Sequence, residues 1–263
     1  FQRCGVLLLK GIFSNWVDFL REGLERQLSR PLDYAFPCES VPKGKSGRFF
    51  DSYCNWHRVP EYLDFVMGSQ AASMAGQFMR SSVAQFFHEH VFCKEIGTEA
   101  ATPWHHDLPY YPLEGNQTVS IYVPLDYIPE ETAVKFVSGS HRWTEVYFAR
   151  RFIDGANYIQ NDPSLSSVPD IEATDNVYEV KSWPLDPGDA LLFDFRTLHG
   201  TSAAKNHSRR RAFSTLWLGD DVGYMERSGE TSPPLDLRDI VSGEKMPGDW
   251  FPIVWRRRTD QTF

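Results

Sequence analysis

Three residues limit what this chain can fold into: His105, Asp107 and the distant His199. In an extended strand, side chains one residue apart share a face, so His105 and Asp107 can bind one ion with an imidazole nitrogen and a carboxylate oxygen. A histidine from a distant strand completes a ligand set of two histidines and one carboxylate. The pattern therefore favours a fold in which strands far apart in sequence lie close together.

This ligand set leaves one face of the metal open for a co-substrate and for dioxygen, as in non-haem Fe(II) oxygenases. Arg210 follows His199 by eleven residues and precedes the strand-like run 211–218. A planar guanidinium can hold a carboxylate by two parallel hydrogen bonds, so Arg210 is expected to bind the far end of a dicarboxylate that chelates the iron. The expected co-substrate is 2-oxoglutarate.

Two further motifs occur in a defined order along the chain. A Gly-Ser-His turn covers residues 139–141, and a Pro-Gly-Asp turn at 187–189 leads an apolar strand into His199 and Gly200. Together with the His-x-Asp pair and the later arginine, this order resembles the phytanoyl-CoA dioxygenase family of Fe(II)/2-oxoglutarate oxygenases. The resemblance runs from about residue 87 to residue 218, and residues 5–13 also look like the family's first strand.

The resemblance implies a mainly β fold with flanking helices: a double-stranded β-helix, which is a jelly-roll, cupin-like barrel with iron at its mouth. It implies that His105, Asp107 and His199 are the catalytic metal ligands and that Arg210 binds the distal carboxylate of the co-substrate. Family members often carry glutamine where this chain has His106. That departure places a second imidazole at the edge of the expected metal site.

The resemblance also implies a reaction. Oxidative decarboxylation of 2-oxoglutarate to succinate and CO2, with consumption of O2, accompanies oxidation of a C–H bond of a small-molecule substrate, and hydroxylation is the leading expectation. Asp107 fills the position that related halogenases leave open for chloride, so halogenation is disfavoured. Desaturation, epoxidation and ring formation stay open, and the sequence does not name the substrate.

Other residues are candidates for contacts around the iron. The hydroxyls of Thr201 and Ser214 could share the co-substrate carboxylate with Arg210, and Tyr122 could line the same site or serve as a core aromatic. Five residues flank the iron strand and could face the primary substrate, which favours a polar or anionic molecule: Lys94, Trp104, His106, Tyr110 and Tyr111.

Two alternatives remain beside the oxygenase. A barrel holding another divalent metal, such as zinc activating water for hydrolysis, would leave Arg210 without a purpose. A cupin-like metal-binding or regulatory protein would keep the ligands without turnover. His57, His88, His90 and His207 have no motif support, and for them solvent-facing or hydrogen-bonded roles are preferred. Arg209 and Arg211 should point away from the face that Arg210 uses.

Composition places limits on partners and compartment. The 263 residues fit one domain, with N-terminal helices at about 14–87, a barrel at about 88–218 and a capping tail at about 219–263. A formal net charge of −8 argues against nucleic acid as a partner. The four cysteines form no C-x-x-C pair, and no membrane span or signal segment is evident, so a cytoplasmic protein with reduced thiols is expected. Oligomeric state is left open.

Local patterns predict the elements. Residues 5–9 favour a buried strand, and Ser14 is expected to cap a helix through about residue 29. The Pro/Gly/Lys mixture at 31–50 favours a loop, and 59–87 favours two helices. Strands are predicted at 89–95, near 104, and at 118–125, 134–137, 178–183, 190–195 and 211–218. The polar stretch 144–174 favours a long functional loop, and the tail from 222 is expected to be irregular.

Overall fold

The computed structural model describes residues 1–30, 38–40, 49–97, 101–150, 156–159, 162–173, 177–202, 207–229, 231, 237 and 239–258. The helices are α1 (Val17–Ser29), α2 (Pro60–Gly68) and α3 (Ala71–Met79), with single 3-10 turns at Ser14–Trp16, Leu108–Tyr110, Glu130–Thr132 and Ser140–Arg142. The strands are β1 (Val6–Leu9), β2 (Cys38–Ser40), β3 (Phe49–Tyr53), β4 (Val83–Lys94), β5 (Thr102–His105), β6 (Leu113–Glu114), β7 (Thr118–Pro124), β8 (Lys135–Val137), β9 (Val146–Tyr147), β10 (Leu165–Ser166), β11 (Val180–Lys181), β12 (Ala190–Phe193), β13 (His199–Thr201), β14 (Arg210–Leu218), β15 (Gly223–Tyr224) and β16 (Ile253–Arg256).

Two sheets carry the architecture. The larger has the order β1-β12-β7-β14-β4-β3-β2, with β16 also pairing with β4, and the smaller has the order β11-β8-β13-β5. They face each other, since Phe136 on β8 and Phe193 on β12 lie with ring centroids 5.1 Å apart. Each sheet therefore presents an inner face to the other, and the side chains that alternate along each strand divide between this face and the outside.

The outer face of the large sheet carries the main core. Phe213 and Trp217, at alternate positions of β14, are fully buried in one apolar cluster with Leu20 and Leu24 of α1 and Phe65 of α2. The spacing of the leucines places them on one side of α1, so burial against the sheet fixes the helix. The predicted Ser14 cap is replaced by a 3-10 turn, in which the Ser14 hydroxyl donates to the Gly11 carbonyl.

The structure differs from the sequence expectations at several boundaries. Part of the predicted loop 31–50 lies outside the described residues, but its described parts include β2 and the start of β3. Strand β4 begins at Val83, inside the stretch predicted as helix. The tail also contains strands, because β15 pairs with β6 and β16 pairs with β4. Within the long stretch 144–174, of which residues 151–155, 160–161 and 174 are not described, β9 and β10 form a short parallel pair.

Within the part of the chain that is described, no helix combines the length and apolarity needed to cross a lipid bilayer.

Candidate metal centre

The small sheet brings the two distant histidines together. His199 on β13 and His105 on β5 are register partners in an antiparallel pair, and their ring centroids lie 4.2 Å apart. Asp107 follows β5. Its backbone N–H donates at 2.7 Å to the carbonyl of Phe195, which follows β12 of the large sheet, and this bond ties Asp107 to that sheet. Potential ligand atoms of the three residues all lie within 4.8 Å of one another.

Backbone contacts set the tautomer of both imidazoles. His105 Nδ1 lies 2.8 Å from the Pro103 carbonyl and His199 Nδ1 lies 2.9 Å from the Thr197 carbonyl. A carbonyl only accepts, so Nδ1 carries the proton in each ring and Nε2 is the nitrogen whose lone pair can bind a metal. Both Nε2 atoms lie 3.6 Å from Asp107 Oδ1.

The other carboxylate oxygen of Asp107 is also engaged. The Ser120 hydroxyl on β7 of the large sheet donates to Asp107 Oδ2 at 3.2 Å, which turns Oδ1 toward the imidazoles. Burial alone would raise the pKa of Asp107, but His199, His105 and Ser120 lower it to about 2. Burial and the neighbouring His105 lower the pKa of His199 to about 4. At neutral pH the site therefore holds a carboxylate and a neutral His199 imidazole, both competent ligands.

The donor set fits a ferrous ion. Two imidazole nitrogens and one carboxylate oxygen form the facial arrangement used by non-haem iron oxygenases. Donors bound at about 2.1 Å to a common ion lie roughly 3 to 4 Å apart. The 3.6 Å separations from Asp107 Oδ1 fall in that range. His105, Asp107 and His199 can thus hold the iron without rearranging the strands.

A cationic region lies on the inner face of the large sheet. Arg210 on β14 is the register partner of Lys94 on β4, and Ser214 is the register partner of Tyr122 on β7. The Tyr122 hydroxyl interacts with the Arg210 guanidinium; burial raises the pKa of Tyr122, and the adjacent charge of Arg210 partly offsets the rise. The structure thus gathers four of the sequence-predicted residues on one face opposite the small sheet.

The neighbouring arginines lie on the outer face. Arg211 binds Asp126 through Nε and Nη2, at 2.9 and 2.6 Å, and Glu25 of α1 through Nη1 at 2.6 Å. Arg209 also binds Glu25. These ion pairs fasten α1 to β14 and leave Arg210 as the arginine of this run that points inward.

The remaining predicted residues divide between the two faces of the small sheet. Trp104 packs with Leu198 on the outer side. His106 accepts the Tyr147 backbone N–H at 3.0 Å, so it lies on the outer side too and not at the edge of the metal site, where it was expected. Thr201 Oγ1 accepts the Thr102 N–H at 2.8 Å, tying β13 to β5. Even-numbered positions of β5 face away from the metal because strand side chains alternate.

Two tyrosines lie on the metal side. The Tyr110 ring meets the His105 ring edge-on at 5.6 Å, and its hydroxyl donates to the Arg150 carbonyl at 2.7 Å. The Tyr111 ring is buried against Phe195 and His88, with centroid distances of 5.4 and 5.5 Å. Tyr110 thus contacts a candidate ligand directly, whereas Tyr111 contacts residues near the ligands.

Sequence reasoning missed several inward-facing polar residues. Ser120, His88, His90 and Asp51 all lie on the inner face of the large sheet, as their register partners show. For His88 and His90 a signal existed, because they share strand parity with Lys94. For Asp51 none did, since it lies just beyond the predicted loop 31–50, in a stretch for which no element was predicted.

Comparison with known proteins agrees with this geometry. The family model for phytanoyl-CoA dioxygenase (PhyH) matches residues 1–212. No significant match was found among curated protein sequences.

Solved structures share the fold at low sequence identity. The non-haem α-ketoglutarate-dependent epimerase SnoN from nogalamycin biosynthesis is 18% identical, with a TM-score of 0.73 over 99% of this chain and 95% of its own. The carbocyclase SnoK from the same biosynthesis is 19% identical, with a TM-score of 0.74 over 97% and 93%. EctD from S. alaskensis, solved with 2-oxoglutarate and 5-hydroxyectoine, is 17% identical, with a TM-score of 0.67 over 98% and 82%.

These similarities confirm the mainly β, jelly-roll fold class predicted from the sequence. They also agree with an oxidoreductase that uses iron, 2-oxoglutarate and O2. The match of the family model over most of the chain, together with the clustered histidines and carboxylate, shows that the protein belongs to the phytanoyl-CoA dioxygenase family of Fe(II)/2-oxoglutarate-dependent enzymes.

Proposed function

We propose that this enzyme oxidises a C–H bond of a polar small molecule, with hydroxylation as the outcome. In this proposal His105, Asp107 and His199 are the iron ligands, and Arg210 binds the distal carboxylate of 2-oxoglutarate. The observation that carries the proposal is the convergence of three ligand atoms within 4.8 Å, at the sheet that faces the one bearing Arg210, with two of them on its strands and Asp107 just after β5. When bound, iron and 2-oxoglutarate supply the oxidising power through decarboxylation to succinate and CO2.

The chain's own residues supply order around the iron. The Pro103 and Thr197 carbonyls hold both imidazoles with Nε2 directed at Asp107, and Ser120 fixes the carboxylate rotamer. Such outer contacts orient ligands and raise their basicity. The ligand geometry is therefore preorganised rather than assembled on binding.

Arg210 is suited to the co-substrate because it is buried, inward-facing and flanked by hydrogen-bonding groups. These groups are the hydroxyls of Ser214, which lies on β14 with Arg210, and of Tyr122, which lies on the neighbouring strand β7. A guanidinium binds a carboxylate through two parallel hydrogen bonds, and a nearby hydroxyl can add a third. Water exclusion at this buried position strengthens the charge-assisted contacts.

The related structures include an α-ketoglutarate-dependent epimerase and carbocyclase, so this fold supports outcomes other than hydroxylation. The outcome depends on where the substrate lies relative to the iron. Hydroxylation is proposed because it requires no second substrate-activating group beyond the ligands and the Arg210 region.

Anaerobic titration of 2-oxoglutarate into Fe(II)-loaded protein tests the proposal. The expected result is a metal-to-ligand charge-transfer band in the visible, with protein loaded with Zn(II) as the blank. Fully iron-loaded wild-type protein that develops no band would exclude bidentate binding of the co-substrate and with it this function. A band without substrate-stimulated succinate across a broad substrate library would instead favour the cupin-like binding protein without turnover.

A further inference from the structure

The inner faces of β3 and β4 carry polar side chains that the iron and co-substrate sites do not use. His88, His90 and Asp51 are members of this set, and His88 and Asp51 are more than nine-tenths buried. Buried polar groups cost free energy unless they are hydrogen-bonded, so their presence on an inner face calls for an explanation.

The contacts of His88 define what it can bind. Its Nδ1 lies 2.9 Å from the Glu89 carbonyl, so Nδ1 carries the proton and donates. Burial lowers the pKa of His88 to about 3, which keeps the ring neutral. Nε2 is then a bare acceptor, and it is buried with no hydrogen-bond partner among the described residues.

His90 lies two residues along the same strand and, unlike His88, has a partner for its Nε2. Its Nε2 contacts Asp51 Oδ1 on β3, and a carboxylate only accepts, so Nε2 is the donor. The His90 ring packs edge-on against Tyr53 with a centroid distance of 5.3 Å. The His90 side chain retains 18% exposure, so this part of the inner face is open while Asp51 fixes the ring.

His88 lies on the same inner face as Ser120, the residue that positions the candidate iron ligand Asp107. Leu216 is the register partner of both His88 and Ser120, and Ser120 binds Asp107, so His88 lies two strands, or about 10 Å in backbone terms, from the residue that holds the carboxylate ligand. Asp107 acts electrostatically on His88, and the Tyr111 ring packs edge-on against His88 with a centroid distance of 5.5 Å. Phe87 is an extra residue in β4 opposite the Leu216–Trp217 step, and a bulge of this kind re-aims the side chains beside it.

The charges around this surface restrict the ligand. Lys94 and Arg210 lie farther along the same face and disfavour a cationic amine. An anionic substrate would meet the Asp51 carboxylate beside His90. A hydroxyl both donates and accepts, so it can satisfy a bare imidazole nitrogen without carrying charge.

We infer that His88, with the His90–Asp51 pair beside it, is a substrate-recognition site for a neutral molecule bearing hydroxyl groups, such as a sugar or polyol, one of whose hydroxyls donates to His88 Nε2. This inference rests on the proposed function and specifies its substrate class. Rejection of molecules that lack the hydroxyl follows, because they leave Nε2 buried and unpaired.

The substrate class is tested with wild-type holoenzyme that already shows the charge-transfer band. Succinate formation is measured with a panel of monosaccharides, methyl glycosides, cyclitols and linear polyols, beside amino acids, fatty acids and acyl-CoA thioesters. Stimulation by hydroxylated neutral compounds is expected. Stimulation confined to the charged or unhydroxylated groups, or by no hydroxylated compound at all, overturns the inference while the band leaves the proposed function standing.

The role of His88 is tested with His88→Phe and His88→Gln. With an active compound, His88→Phe should lower kcat/KM by about tenfold, mostly through KM, whereas His88→Gln, which places an amide oxygen near the lost Nε2, should recover part of it. A deoxy analogue that lacks the recognised hydroxyl should react equally with wild type and His88→Phe. His57→Phe, at an imidazole that meets the Trp250 ring edge-on, is the control and should change neither value. Equal losses for the deoxy and parent compounds overturn the assignment.

A measurement without iron separates recognition from structure. His88→Phe removes the Nδ1 donor, but the Glu89 carbonyl still accepts the Cys54 N–H at 3.4 Å. The substitution also removes Nε2, a buried acceptor without a partner among the described residues, and this gain offsets the loss. The Tm of apo His88→Phe should therefore stay within about 3 °C of wild type, a change worth less than a typical core substitution. A fall well beyond that range identifies His88 as a structural residue and overturns the inference.

Discussion

Arg210 and Lys94 are register partners on antiparallel neighbours β14 and β4, and each is only 8% exposed on the same inner face. Cross-strand partners on one face have Cβ atoms about 5 Å apart, so the two cations act on each other directly. Burial, and next the charge of Arg210, lowers the pKa of Lys94 to about 8. This pairing creates a region suited to an anion with two oxygens, such as the distal carboxylate of 2-oxoglutarate.

The affinity for 2-oxoglutarate should depend on pH through Lys94. Lys94 is charged below its pKa of about 8 and neutral above it, so binding of a carboxylate weakens as pH rises through that value. Charge-transfer titrations between pH 6.5 and 9 should show a Kd that increases by about three- to tenfold in wild type. Lys94→Met should bind weakly at every pH, and Lys94→Arg should bind tightly without the pH dependence. A flat wild-type profile would contradict this role.

Arg210 and Arg211 form a matched pair for mutation. Arg210→Gln should raise the Kd for 2-oxoglutarate by about 10- to 100-fold, because a bidentate charged contact is lost while the Tm changes little. Arg211→Gln should leave that Kd unchanged and lower the Tm, because it breaks the outer ion pairs with Asp126 and Glu25. Titration and thermal melts of both variants check the prediction. Similar effects of the two substitutions on Kd would argue against the inward role of Arg210.

Asp107→Ala should abolish stable iron binding. The substitution removes the oxygen that both Nε2 atoms approach at 3.6 Å, leaving two imidazoles that cannot neutralise the ion. Iron content after anaerobic reconstitution and desalting should fall from one per chain to a small fraction. His207→Ala, at an exposed histidine, is the control and should retain full loading. Full loading of Asp107→Ala would place the metal elsewhere.

Stability should fall with rising pH because of Glu89. Burial raises the pKa of this carboxyl to about 8, against the hydrogen bonds it accepts from the backbone at Asn55, Trp56 and Cys54. Between about pH 4.5 and 8 the folded state holds a proton that the unfolded state has released, so the free energy of unfolding decreases as pH rises through this window. Urea melts at pH 5, 6, 7 and 8 should show this trend in wild type and a smaller one in Glu89→Gln. The exposed Glu145→Gln should keep the wild-type slope.

Strand alternation made part of the site predictable. The parity of β14 separates Arg210 from Arg209 and Arg211, and the structure places them on opposite faces. The His106 imidazole was expected at the edge of the metal site, but it packs on the outer side with Tyr147, as strand alternation requires. For His106, the position expected from the resemblance to relatives conflicted with strand alternation, and alternation gave the better prediction.

The pairing of β3 with β4 was harder to predict from the sequence. Phe49–Tyr53 is buried along its whole length, so it lacks the apolar–polar alternation of a half-buried strand. Its identity as a strand comes from pairing with β4, a contact between segments far apart in sequence. Local sequence propensity does not predict such a long-range contact, and Asp51 was therefore not identified as an inward-facing residue.

Strand β16 covers the same edge of β4 that β3 covers farther along, with Trp255 opposite Ala84. The Phe86 N–H donates to the Pro252 carbonyl at 2.9 Å, and the Arg257 N–H donates to the Ser82 carbonyl at 2.8 Å. Shortening the protein before residue 253 would thus expose the backbone edge of β4 at residues 83–86 to pairing with other chains, while β14 stays paired with the opposite edge of β4. The C-terminal tail therefore completes the edge of the strand that carries His88 and His90.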